Sequence, residues 1–290
     1  MTDLPTPLVS TSWLAEHLDD PSLRILDATV HLSPPAEPGG DWSVVSGAGD
    51  HAAGHVPGAR YADLVSELSV PGTRFQRPDA AAFAAAAERL GVGDRTRVVV
   101  YDRGGAMWAA RVWWLLRSFG FDDVAVLDGG FARWEAEGRP VTSEPTPPAP
   151  AGTRFTAHDR PELVADRDEV LAVVQNGGAC LVNALGAEDF TATETDRYAR
   201  PGRIPGSLNV PAAGLLDDAG RFLAPDVLRE RFADVLARPG RKVTYCGGGI
   251  AATSDALVLA LLGEDDVAVY DGSMAEWTAD PSLPLETGPA

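Results

Sequence analysis

The chain carries the same punctuation twice, in the same order, and this duplication restricts its possible folds more than any other feature. Leu26-Asp27-Ala28 answers to Val182-Asn183-Ala184, each closing a short apolar run. Gly54-His55-Val56-Pro57-Gly58-Ala59 answers to Gly202-Arg203-Ile204-Pro205-Gly206-Ser207. Val98-Val99-Val100-Tyr101-Asp102 answers to Val243-Thr244-Tyr245-Cys246, and Val126-Leu127-Asp128-Gly129-Gly130-Phe131-Ala132-Arg133-Trp134 to Val269-Tyr270-Asp271-Gly272-Ser273-Met274-Ala275-Glu276-Trp277. Each half therefore builds one copy of a fold of ordinary domain size. Between the copies lies a proline-dense stretch that removes backbone donors and favours an extended linker. The expected division is residues 1–143, a linker at 144–158, and residues 159–290.

Within each half, short β-branched runs alternate with longer helical patterns. Residues 98–101 form a buried-strand signal, 109–119 carry apolar residues at helical spacing up to Gly120, and 124–127 form the next strand. Residues 243–245, 253–262 and 267–270 repeat the scheme. Strand–helix–strand alternation predicts an α/β fold, with a mainly parallel sheet flanked by helices in each half. Ligands bind in loops at the carboxyl ends of such strands. Cys246 stands in one of these loops, and Asp102 takes its place in the first half.

Cys246 runs straight into Gly247-Gly248-Gly249-Ile250-Ala251, ahead of a helix. Glycines let backbone N–H groups turn toward the sulfur, and the helix adds the positive end of its dipole; both favour the reactive thiolate. The other interpretation is a small buried residue ending a strand. The loop alone leaves these two even.

Bulk properties narrow the partners. Forty-two acidic against 24 basic residues give a formal charge of −18, which argues against nucleic acid or an anionic membrane surface. Two cysteines, Cys180 and Cys246, are too few for a disulfide scaffold, and no Cys/His spacing suits a metal. The N-terminus shows no basic and apolar leader, and the longest apolar run, residues 256–262, cannot span a bilayer. The expectation is a cytoplasmic, monomeric protein without metal or cofactor.

The paired Gly-x-[Val/Ile]-Pro-Gly turns, the paired Asp-Gly-[Gly/Ser]-[Phe/Met]-x-x-Trp segments and the single loop cysteine resemble the two-domain rhodanese family of sulfurtransferases. The resemblance covers nearly the whole chain and implies a tandem duplication of two rhodanese-like domains, with the catalytic Cys absent from the first. It also implies a two-step chemistry: Cys246 takes a sulfane sulfur from a small anionic donor of the thiosulfate or 3-mercaptopyruvate class. The persulfide then passes it to a thiophilic acceptor such as cyanide or a thiol. Six backbone amides around such an anion would stabilise it without a fixed cation.

The loop departs from both subclasses. Thiosulfate-type members resemble Cys-Arg-Lys-Gly-Val-Thr, and mercaptopyruvate-type members Cys-Gly-Ser-Gly-Val-Thr, with a Ser/Asp/His relay. Here the Ser is Gly248, the Thr is Ala251, the Asp falls on Val65 and the His near Phe75. Of two arginines that hold the donor carboxylate in relatives, the first falls on Asp189. Arg197 is the candidate for the second, with Arg200 and Arg203 beside it. Candidate substrate-binding residues are thus Gly247, Gly248, Gly249, Ile250, Ala251, Arg197 and Arg203. Two alternatives stay open: a carrier delivering persulfide sulfur to a partner protein, or a degenerate member with little turnover. A dinucleotide fingerprint over Gly247, Gly249 and Ala252 fails because prolines, not further βα units, follow Asp271. A Cys-x5-Arg phosphatase loop fails at Ala252. Trp113, Trp114, Trp134 and Trp277 are expected in the core, His55 in a turn hydrogen bond, and Cys180 inert at a strand start.

Overall fold

The structure, a computed structural model, describes residues 4–5, 7–33, 42–73, 75–194 and 197–289. It divides into two units. One comprises Met1–Leu32, Val44–Arg160 and Leu216–Phe222; the other comprises Ser33–Ser43, Pro161–Leu215 and Leu223–Ala290. Described strands in chain order are β1 (Leu8–Val9), β2 (Leu23–Asp27), β3 (Val30–Ser33), β4 (Ser43–Ser46), β5 (Ala59–Tyr61), β6 (Arg97–Tyr101) and β7 (Val124–Leu127). They continue with β8 (Val164–Ala165), β9 (Ala179–Asn183), β10 (Leu208–Asn209), β11 (Arg241–Tyr245) and β12 (Val267–Tyr270).

The first unit's sheet has the order β1-β7-β6-β2-β5 with every pairing parallel. The second has β10-β9-β11-β12-β8, again all parallel, which is the same order read from the opposite edge. All five residues of β6 are buried, as a parallel strand covered on both faces requires. The helix predicted at 109–119 runs Met107–Ser118. Gly120 follows it at φ +88°, the left-handed conformation that ends helices cheaply in glycine. Its counterpart, expected at 253–262, spans Ala251–Leu261 and starts directly behind the cysteine loop.

The repeat extends to single hydrogen bonds. Tyr101 and Tyr245 are fully buried, and their hydroxyls accept the amides of Val56 (3.3 Å) and Ile204 (3.2 Å) in the two Gly-x-[Val/Ile]-Pro-Gly turns. A buried phenol finds such a partner because an unpaired hydroxyl is costly. Burial pushes the Tyr245 phenol up to about 12. Trp134 and Trp277 are fully buried and donate their indole N–H groups to Pro140 and Pro284, each at 2.8 Å. They anchor the helices Gly130–Ala136 and Ser273–Ala279; truncating either to alanine would cost about 3–5 kcal/mol. Trp113 and Trp114 are buried in Met107–Ser118, and Cys180 lies in β9, where burial raises its thiol above the usual range. No described helix is long and apolar enough to cross a membrane.

In each unit the central strand therefore delivers its last residue, Tyr101 or Tyr245, to the carboxyl edge of a parallel sheet. The residue after it, Asp102 or Cys246, stands at the mouth of the following loop.

Candidate active site

Cys246 is only 2% exposed, whereas Gly247 and Gly248, which follow it in the loop, are half-buried. Behind the loop, the hydroxyl of Ser273 accepts the amides of Cys246 (3.1 Å) and Gly249 (3.2 Å) and donates to the carbonyl of Tyr270 (2.8 Å). Two further bonds, from the Met274 amide to the Cys246 carbonyl and from the Ala275 amide to the Gly247 carbonyl, fix the loop to the helix start. Ser273 is fully buried at φ +49°, a left-handed conformation that costs a serine roughly 1–2 kcal/mol. Gly130 holds the equivalent place in the first unit, at φ +55°. The serine was not singled out from the sequence, yet a non-glycine at a repeat's glycine position was the available signal.

Of the seven amides from Cys246 to Ala252, one more than the six expected around the sulfur, those of Cys246 and Gly249 are thus engaged by Ser273. The amides of Gly247, Gly248, Ile250, Ala251 and Ala252 have no acceptor among the described residues. Unpaired donors gathered at a helix start favour negative charge.

The first unit shows what such a loop does with an anion. Asp102, buried at the position of Cys246, accepts four backbone amides through its carboxylate. They are Gly104 (2.9 Å) and Ala106 (3.1 Å) on one oxygen, Trp108 (3.0 Å) and Ala109 (2.9 Å) on the other. Burial raises this carboxyl, and the four amides oppose the rise. The repeat equivalents of Gly104, Ala106 and Trp108 are Gly248, Ile250 and Ala252, three of the unengaged donors behind Cys246. The two loops share one design, with a carboxylate built into one and a thiol into the other.

The rim carries a residue the sequence did not reveal. A Cβ placed on Gly247 would lie 2.5 Å from the hydroxyl oxygen of Tyr198 and 3.5 Å from its ring carbon Cζ. Tyr198 is half-buried and packs against the core cluster that contains Ile204 and Tyr245. The space a side chain at 247 would fill is thus taken by a neighbouring hydroxyl. No periodicity announces such a contact.

The arginines fare differently from one another. Arg197 is exposed, paired with Asp189 at 2.8 Å, with its guanidinium 5.3 Å from the ring of Trp42. Arg200 donates to the carbonyls of Trp277, Thr278, Asp280 and Leu283. Arg203 is 5% exposed and donates to the carbonyls of Phe190 and Gly288, with Glu286 alongside at 3.6 Å. Its backbone pairs reciprocally with Glu286, as that of His55 pairs with Thr142. Placed so, Arg200 and Arg203 tie the chain's last residues to the turn and have little left for a ligand. His55 makes the expected turn bond, to the carbonyl of His51 at 2.7 Å. At the missing relay positions, Val65 is exposed and Phe75 is buried edge-on against Trp108.

Comparison with known proteins bears on the whole chain. The family model for the rhodanese-like domain matches residues 10–137 and 165–280. The 3-mercaptopyruvate sulfurtransferase of Escherichia coli is 35% identical across 97% of this chain and 98% of its own. The thiosulfate sulfurtransferase of Rattus norvegicus is 37% identical across 93% and 91%. The crystal structure of the Escherichia coli 3-mercaptopyruvate enzyme superposes with a TM-score of 0.78 at 33% identity, covering 92% of this chain and 98% of that one. With the duplicated sheet order and paired turns, these matches place the chain in the rhodanese family, as a sulfurtransferase-type protein of two tandem rhodanese-like domains.

Proposed function

We propose that this chain moves a sulfane sulfur from a small anionic donor, of the thiosulfate or 3-mercaptopyruvate class, to a thiophilic acceptor through a persulfide on Cys246. The observation that carries this reading is the pair of equivalent loops: one holds a carboxylate on four amides, and the other offers matching amides behind a thiol. A persulfide is an anion on a polarisable atom, and preorganised amides stabilise it at no reorganisation cost. Gly247, Gly248, Ile250 and Ala251 supply that cradle, Gly249 lets the loop turn at φ +78° while Ser273 holds its amide, and the helix Ala251–Leu261 adds its dipole.

Arg197 is the candidate contact for a donor carboxylate, entering in exchange for Asp189. The burial of Cys246 favours a small donor over delivery by a protein partner. Turnover tests this reading: thiocyanate is measured with cyanide as acceptor and thiosulfate or 3-mercaptopyruvate as donor. Multiple turnovers, abolished in Cys246→Ser, support the enzyme. A single loading that no small acceptor discharges supports the persulfide carrier instead.

A further inference from the structure

The loop around Cys246 offers no side-chain proton of its own. Residues 247–252 are Gly, Gly, Gly, Ile, Ala and Ala, and the hydroxyl of Ser273 behind them is committed to the Tyr270 carbonyl. A hydroxyl does reach the rim from outside the loop. Tyr198 places its oxygen 2.5 Å from the point where a side chain would begin on Gly247, the half-buried residue next to Cys246. Its ring packs partly against the core cluster of the same unit.

We infer that Tyr198 is a catalytic residue for donors whose leaving group is a carbon acid: its phenol protonates that group as sulfur is taken up. The inference rests on the Cys246 sulfur-transfer reading. With 3-mercaptopyruvate, the Cys246 thiolate attacks the donor sulfur and a sulfur–sulfur bond forms. The sulfur–carbon bond breaks, and its electron pair leaves on carbon as the enolate of pyruvate. Tyr198 O–H gives its proton to that carbon, and the new persulfide S–H returns a proton to the phenolate. The thiolate sulfur is oxidised, the carbon is reduced, and the balance is Cys–S⁻ plus mercaptopyruvate giving Cys–S–S⁻ plus pyruvate. Thiosulfate needs no such proton, because sulfite leaves as a stable dianion.

The test is the rate of persulfide formation in a single turnover of the full chain, with each donor, for wild type and Tyr198→Phe. The phenylalanine keeps the ring and its packing, and an unchanged thermal midpoint verifies this. The expected result is a loss of about 10²-fold or more in the mercaptopyruvate rate at saturation, the scale of general-acid catalysis, with half-saturation little changed. Loading from thiosulfate stays within a few-fold. Equal rates in both proteins, parallel loss with both donors, or a wild type that loads from thiosulfate alone would overturn the role of Tyr198 while leaving Cys246 chemistry intact. A wild type that gains sulfur from neither donor would overturn the sulfur-transfer reading itself, and the Tyr198 role with it.

Discussion

Replacing Gly247 with alanine probes the contact between the loop and Tyr198 directly. The new Cβ would sit 2.5 Å from the Tyr198 hydroxyl, well inside van der Waals contact, so the phenol must swing aside. Gly247 does not lie in the left-handed region, so the added methyl brings no backbone strain, and its whole cost is this overlap. Overpacking of this kind costs about 1–3 kcal/mol. In a Tyr198→Phe background the offending atom is gone. The nearest ring carbons then lie 3.5 and 3.6 Å from the Cβ, which is ordinary contact. There the alanine should be neutral or stabilise by about 0.4–1 kcal/mol, through the reduced entropy of the unfolded chain. The two substitutions should therefore couple by about 1–3 kcal/mol, read by equilibrium denaturation of the four proteins. Additivity within about 0.5 kcal/mol would refute the contact, and with it the placement of the hydroxyl on the loop.

Three further outcomes follow from the same geometry. Ser273→Ala strands the amides of Cys246 and Gly249; it should destabilise by about 1–3 kcal/mol in denaturant titration, and a neutral result would deny that Ser273 holds the loop. Asp102→Ala removes the acceptor of four amides, three of them buried, and should cost about 3 kcal/mol or more, whereas a substitution without effect would undercut the anion-cradle argument. Asp255, fully buried in the helix Ala251–Leu261 without a hydrogen-bond partner among the described residues, has its carboxyl raised well above 3.8 by burial. Because the folded value is the higher one, its contribution is intact below about 3.9. It declines as pH rises toward the folded value. Asp255→Asn should therefore gain stability relative to wild type as pH rises above about 4, and a difference independent of pH would contradict this.

The fold was legible because the repeat was. Matched landmarks such as Tyr101-Asp102 and Tyr245-Cys246 located the central strands, and β-branched runs sized for buried parallel strands gave the sheets. The cysteine loop was legible for a similar reason, since three glycines after a strand leave amides as the only functional groups. What the sequence left hidden depends on approach between distant segments. Arg203 read as a candidate donor contact inside a turn, but its guanidinium donates to the carbonyl of Phe190 and to that of Gly288, 85 residues away. Tyr198 carries no local pattern, and only the space missing above Gly247 discloses it. Ser273 lay between these cases, visible as the one residue that breaks the Asp-Gly-Gly match between the halves.

The central claim is that Cys246 carries sulfur, and intact-protein mass spectrometry addresses it most directly. The chain is incubated separately with thiosulfate and with 3-mercaptopyruvate, beside a Cys246→Ser control. The account predicts a gain of one sulfur atom from at least one donor, lost on addition of cyanide and absent from the control. A chain that gains no sulfur, or a control that gains as much as wild type, would contradict it.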